Sequence, residues 1–349
     1  MSEKEVGRTA YFDYLRIIGA FMVMLLHVAS YYWSGADVKS GTWTVLTVYN
    51  CVASGGVLLF VMISGALFLD REIPIKRIFT KYVLRLLIAY VFWSLVYGTI
   101  LNWRDGIIAI LKGTLSSYFH LWFLPMLMGL YICIPVFRLI VSSEKITKYF
   151  LVLSFLFAFV IPQILDMMSD FAGLEFVSSV LNTHLNELNL NTILGYSFFF
   201  AAGYYINKKE ISGRIRTAIY IAGIAGVLMS AALTICDSRL KGSASNTYFA
   251  YFTVFVFLWV LGIFVFFKYV AAPGKVPGKF VLKLSKYSFG AYLVHPIIIL
   301  AMDGYLGLKG YVMGCPLVMV PLAVVIIYIV SFLISALLNL IPGIKKYIV

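Results

Sequence analysis

Ten runs of about 20 apolar residues leave this chain few folds to choose from. They lie near 11–33, 46–69, 80–101, 119–140, 149–166, 192–207, 216–236, 248–268, 287–307 and 314–341. About 20 helical residues cross a bilayer core, and a spanning segment must bond all of its own backbone N–H and C=O groups. Composition agrees: 12% of the 349 residues are charged and 62% are hydrophobic, whereas a soluble domain carries about 25% charged residues. The expected fold is all-α: a polytopic membrane protein of about ten transmembrane helices, forming one domain over residues 1–349. No internal repeat, low-complexity tract or soluble domain interrupts it. The fourth and sixth runs are the weakest. Pro125 and Pro135 predict a kink or a re-entrant path in the fourth. The first run is longer than the 7–15-residue core of a signal peptide and no small-residue cleavage site follows. It is therefore expected to stay as a helix of the mature protein.

The net charge of +13 raises the question of nucleic acid. The basic residues are spread over short loops rather than gathered on one soluble face, which argues against it. They orient the chain instead. With the N-terminus placed in the cytoplasm, 21 of the 28 Lys and Arg residues fall in inner segments and 6 in outer ones, with Arg16 inside the first span. That split follows the positive-inside rule and predicts an even number of spans with both termini cytoplasmic. The longest outer loop, near 166–191, is acidic, with Asp166, Asp170, Glu175 and Glu187. The four cysteines have no metal-ligand spacing. Cys236 and Cys315 fall near helix ends on one predicted side, where a disulfide is conceivable.

Few ionisable residues lie inside the runs: Arg16 and His27 in the first, Arg85 near the inner end of the third, His120 near the outer end of the fourth and His295 in the ninth. Such residues are expensive in hydrocarbon and usually face a protein interior or a wet cavity. Eleven helical steps come to about 20° past three full turns, so Arg16 and His27 share one face. Arg16 sits in the inner part of the bilayer, His27 in the outer half and His295 near mid-depth. If their helices are neighbours, they mark a polar path. A neutral histidine can take and return a proton near neutral pH.

Plainer readings exist for each. Arg16 can snorkel to the interface or pair with Asp13 three residues earlier. His27 can be an interior histidine bonded to a neighbouring helix. His295, in Tyr-Leu-Val-His-Pro, precedes a proline that frees a backbone carbonyl and can simply mark a kink. His120 and Trp122 lie where an interfacial aromatic belt is expected. The basic stretch from Arg71 to Arg85 is explained by topology alone. Ser64 reads as a small residue for close helix packing. A Gly-x-Ser-x-Gly elbow, a His-Glu-x-x-His zinc site, a P-loop and a dinucleotide fingerprint are all absent. A rival function is a transporter using a buried His/Arg path, although internal repeats and paired broken helices, which many transporters show, are missing.

Four stretches together resemble the acyltransferase family 3 of integral membrane acyltransferases. They are Asp13-Tyr-Leu-Arg16 through His27, with ten residues between Arg and His; Leu59-Phe-Val-Met-Ile-Ser-Gly-Ala-Leu67; His120-Leu-Trp-Phe-Leu124 followed by Tyr131 and Pro135; and Ser288-Phe-Gly-Ala-Tyr-Leu-Val-His295-Pro. They occur in the family's order across almost the whole chain. The likeness is nearest to the short surface-polysaccharide O-acetyltransferases, which lack an extracytoplasmic hydrolase-like domain. The resemblance implies a single acyltransferase-3-like domain in a bacterial cell membrane. It implies transfer of an acyl group, usually acetyl, from cytoplasmic acyl-CoA to a hydroxyl of a glycan or lipid-linked sugar, with acetyl-CoA as co-substrate and no metal. In that reaction His27 would be the general base, or the nucleophile of an acyl-histidine intermediate. Arg16, held by Asp13, would orient a carbonyl, bind the donor or stabilise developing charge. Arg77, Lys81 and Arg85 would bind the coenzyme's phosphates, although many members carry an Arg-x-x-Arg pair there and this spacing is wider. His120, Trp122 and His295 would line the substrate path.

Overall fold

A computed structural model describes residues 10–270 and 278–349, apart from the side chains of residues 191 and 192. Lys4, Arg8 and Lys275, which entered the charge count, lie outside the described residues. The described residues are helical, with turns and no strand. In chain order the helices are α1 (Ala10–Trp33), α2 (Gly41–Ala53), α3 (Gly56–Phe68), α4 (Ile75–Asn102), α5 (Ile107–Ser116), α6 (Phe123–Ile132), α7 (Ile134–Val141), α8 (Glu144–Ala172), α9 (Glu175–Glu187), α10 (Asn191–Lys208), α11 (Gly213–Lys241), α12 (Val254–Val270), α13 (Lys279–Leu306), α14 (Leu308–Gly314), α15 (Pro316–Leu338) and α16 (Pro342–Tyr347).

Length and apolarity alone pick out fewer segments than the ten expected spans. Among the described residues, 8 helical segments are long and apolar enough to cross a membrane, and 9 if the bent pair α5 and Phe119–Ile132 counts as one span. α2 and α3 form one of the eight. The sixth run is α10, which is helical but outside that set. The reason is its surroundings. Phe199, Phe200 and Ala201 are fully buried, so α10 packs against protein and tolerates Tyr204, Tyr205 and Asn207 in a way that a lipid-facing helix does not.

The fourth run breaks as its prolines suggest. α6 ends at Ile132 and α7 restarts at Ile134 with Pro135 in its first turn, where the missing N–H costs nothing. Pro125 sits in the first turn of α6 and breaks nothing. The run is also joined at its outer end to α5, a segment expected to be loop, through a 40° bend at Ser117, whose φ is +55°.

α3 and α10 approach very closely. A Cβ added at Gly65 would lie 1.8 Å from the Phe200 carbonyl oxygen, and one at Gly203 would lie 2.1 Å from that of Met62. The small residue that permits this approach is Gly65, not its neighbour Ser64, whose side chain points to a cavity described below. Around the core, Ile221, Leu228, Leu317 and Leu333 are exposed, as suits a lipid-facing surface.

The loops sort into two ends. Lys208 pairs with Asp70 at 2.5 Å, Arg138 with Glu72 at 3.6 Å and Lys209 with Glu144 at 2.7 Å, all at the end that the positive-inside rule expects to be inner. Lys241 pairs with Asp170 at 2.9 Å, and Arg239 donates to Thr44 Oγ1 at 3.0 Å, at the outer end. Cys236 and Cys315 are free and exposed, so the conceivable disulfide does not form.

Candidate active site

α1 and α13 lie side by side and run the same way, so their polar residues meet in register. At the inner end Arg16 Nη1 lies 3.2 Å from Asp13 Oδ1 and 3.5 Å from Ser285 Oγ. Ser285 Oγ donates to the same Asp13 oxygen at 2.5 Å. Asp13 is fully buried; a buried carboxylate persists only when paired and hydrogen-bonded. At the other end His27 Nδ1 lies 2.6 Å from His295 Nε2. About 16 Å of helix separates Arg16 from His27, at 1.5 Å per residue.

Arg16 projects into a cavity of about 350 Å³ whose wall also carries Ser64, Arg85, Phe123, Tyr131, Ser285, Ser288 and Tyr292. Ser64 Oγ and Tyr131 Oη share a 3.3 Å hydrogen bond. Arg85 donates to the backbone oxygen of Val349 at 2.7 Å and faces the Phe289 ring at 5.7 Å. It also lines a second hollow of about 490 Å³ with Asn339, Lys345 and Lys346. The two volumes meet at this guanidinium. One is mainly aromatic and apolar and the other is rimmed by cations. Each falls in the roughly 300–1,000 Å³ range of small-molecule sites.

The histidines form a separate cluster. His295 and His120 are fully buried, and their ring centroids are 5.6 Å apart. His27 is half-buried and packs edge-on against Phe119 at 5.0 Å; Phe119 is 50% exposed. Neither ring nitrogen of His120 has a hydrogen-bond partner, an unusual state for a buried imidazole. Tyr292 stands between the inner cavity and the histidine cluster. Its ring lines the inner cavity, lies 5.6 Å from His120 and 5.8 Å from His295, and its hydroxyl donates to the His120 carbonyl. Among the described residues no three His, Cys, Asp or Glu side chains are arranged to hold a metal ion.

A family model for an acyltransferase domain, acyltransferase 3, matches residues 9–340. The chain belongs to the acyltransferase-3 family. No curated protein and no solved structure matches it. Membership makes the chain a multi-pass membrane acyltransferase.

In this acyltransferase-3 chain the predicted site residues divide into three groups. Asp13, Arg16 and Arg85 gather at the inner cavity. His27, His120 and His295 gather beyond Tyr292. Arg77 and Lys81 join neither; they are exposed and line neither volume. Four-residue spacing would keep residues 77, 81 and 85 on one side of an α-helix. A π-helical turn at Ile78–Val83 breaks that register, because its wider turn takes up an extra residue. Trp122 packs between Tyr196 and Tyr251, at 5.6 Å from each, and does not line the inner cavity. Sequence reasoning missed Ser285, Tyr292, Lys345 and Lys346 and misassigned Ser64. For two of these the signal was present: Ser285, Ser288, Tyr292 and His295 make a polar stripe at helical spacing along α13.

Proposed function

We propose that this protein moves an acyl group, acetyl by preference, from cytoplasmic acyl-CoA to a hydroxyl of a cell-surface glycan or lipid-linked sugar. The observation that supports this reading is an inner cavity holding two guanidiniums beside a cluster of three imidazoles, with the Tyr292 ring between them. Arg85, Lys345 and Lys346 hold the donor's phosphates; arginine forks and ammonium groups suit phosphate oxygens. Arg16, steadied by Asp13 and Ser285, binds the donor where its extended arm enters the membrane. It stands too far from His27 to share a carbonyl oxygen with it, so of the roles open to it donor binding is preferred over charge stabilisation.

His27 works at the far end. As the acceptor oxygen bonds to the acyl carbon, His27 takes the hydroxyl proton. The C–S bond breaks, and His27 returns the proton to the departing sulfur, giving an ester and a free thiol. His120, with unpartnered nitrogens beside this point, is placed to meet the acceptor or the acyl oxygen. The Tyr292 ring must shift, or let the arm slide past, for donor and acceptor to meet.

Purified protein in vesicles, given radiolabelled acetyl-CoA and a cell-envelope glycan, is expected to yield labelled glycan. Uptake of the glycan into vesicles without acyl-CoA would favour transport and overturn the reading. Arg85→Ala is expected to raise the KM for acetyl-CoA about tenfold or more with kcat little changed, since a hydrogen bond to a charged group contributes about 1.5–3 kcal/mol. An unchanged KM would restrict Arg85 to holding Val349.

A further inference from the structure

We infer that His295 is a positioning residue: it fixes the tautomer of His27 so that Nε2 of His27 is the atom that accepts the proton. This rests on the reading of His27 as general base.

Pro296 lies inside α13. Proline has no N–H, so the carbonyl four residues earlier, that of Tyr292, loses its helical donor. His295 Nδ1 lies 2.6 Å from that carbonyl oxygen. A carbonyl only accepts, so Nδ1 of His295 carries the hydrogen and donates it. A neutral imidazole with one N–H has its other nitrogen as acceptor, so Nε2 of His295 presents a lone pair. That lone pair faces His27 Nδ1 at 2.6 Å, with the two rings nearly parallel at 6°. His27 Nδ1 must therefore be the donor, and the free lone pair of His27 lies on Nε2. A second proton on His295 would reverse the chain. It would also bury a charge, and among the described residues no carboxylate hydrogen-bonds any of the three clustered rings.

The consequence is directional. His27 cannot offer Nδ1 to substrate, because that N–H is held by the neighbouring helix. When Nε2 takes a proton, the Nδ1–H bond to His295 becomes charge-assisted and holds the ring more firmly in place. The two residues of the His-Pro dipeptide thus act in series. The proline frees the carbonyl that orients the histidine, and the histidine orients His27.

Two measurements test this on the full-length protein in vesicles. In His295→Leu, kcat for acetyl transfer is expected to fall about 10²-fold or more, the lower bound of general-base contributions, with the KM for acetyl-CoA within about twofold. In His295→Gln the amide oxygen can accept from His27 and the amide N–H can donate to Tyr292, so at least about tenfold of the loss should return. Equal loss in both variants, or kcat retained in His295→Leu, would overturn the inference. Nitrogen NMR of histidine-labelled wild-type protein reads the tautomer without any variant: His27 should carry its hydrogen on Nδ1, and a hydrogen on Nε2 would overturn it. Full activity in His27→Ala beside the expected tautomer would instead remove the general-base reading.

Discussion

Replacing His27 by alanine is expected to lower kcat for acyl transfer by about 10²–10⁴-fold, the range that a positioned general base supplies. The KM for acetyl-CoA should stay within about twofold, because Arg16 and Arg85 line the inner cavity and His27 does not. A mutation that loosened the whole site would change donor binding and rate together, whereas loss of the proton acceptor changes the rate alone. The cost to folding should be modest. His27 is half-buried and its side chain loses one hydrogen bond, worth about 1 kcal/mol net, although His295 is left with an unpaired nitrogen. Steady-state kinetics with labelled acetyl-CoA, beside thermal unfolding of the same preparation, separates the two effects. A stable variant with an unchanged kcat would take His27 out of the reaction.

The largest expected effect on folding is at a residue that touches no substrate. Gly65→Ala should lower the stability of the detergent-solubilised protein by about 3 kcal/mol or more, the upper end of overpacking penalties. The new methyl group would meet the Phe200 carbonyl oxygen, carbonyl carbon and Cα, at 1.8, 2.6 and 3.0 Å. These are backbone atoms and no rotamer change relieves them, so α3 and α10 must move apart. In membranes such contacts matter because helices associate through close packing rather than through exclusion of water. Gly129→Ala is the matched control: nothing lies within 4 Å of its added Cβ, and alanine is the better helix former by up to about 1 kcal/mol. It should melt with or slightly above the wild type. Melting curves for the two variants decide the matter, and a Gly65→Ala protein as stable as the wild type would mean that the helices separate at little cost.

Much of this architecture could be read before any coordinates. Lipid thickness and backbone hydrogen bonding translate directly into runs of apolar residues, so eight of the ten expected spans coincide with membrane-length helices. Pro135 announced the break between α6 and α7. Helical periodicity placed Arg16 and His27 on one face of α1, and that face is the one turned toward α13. The misses have equally physical sources. The segment at Ile107–Ser116 is apolar enough to be a helix but too short to be counted as a span. The π-helical turn that separates Arg77 and Lys81 from Arg85 has no compositional mark. Ser64 and Gly65 are both small, and only the position of Phe200 tells which one is pressed against a neighbour.

The order of residues by itself determined that this chain lives in a membrane, that the few ionisable side chains inside its spans lie in the first, third, fourth and ninth runs, and that its motifs resemble those of the acyltransferase-3 family. The first two depend on solvent preference and on position within one helix, which are local, and the third on the resemblance of four stretches spread along the chain. Only the tertiary structure decided that the guanidiniums line a cavity on one side of Tyr292 and the imidazoles cluster on the other, and that His295 rather than a carboxylate holds His27. Those outcomes depend on how α13 packs against α1 and on which carbonyl Pro296 leaves free at that contact. Pairing between helices almost 270 residues apart is set by the sum of all their surfaces, which no single stretch of sequence contains.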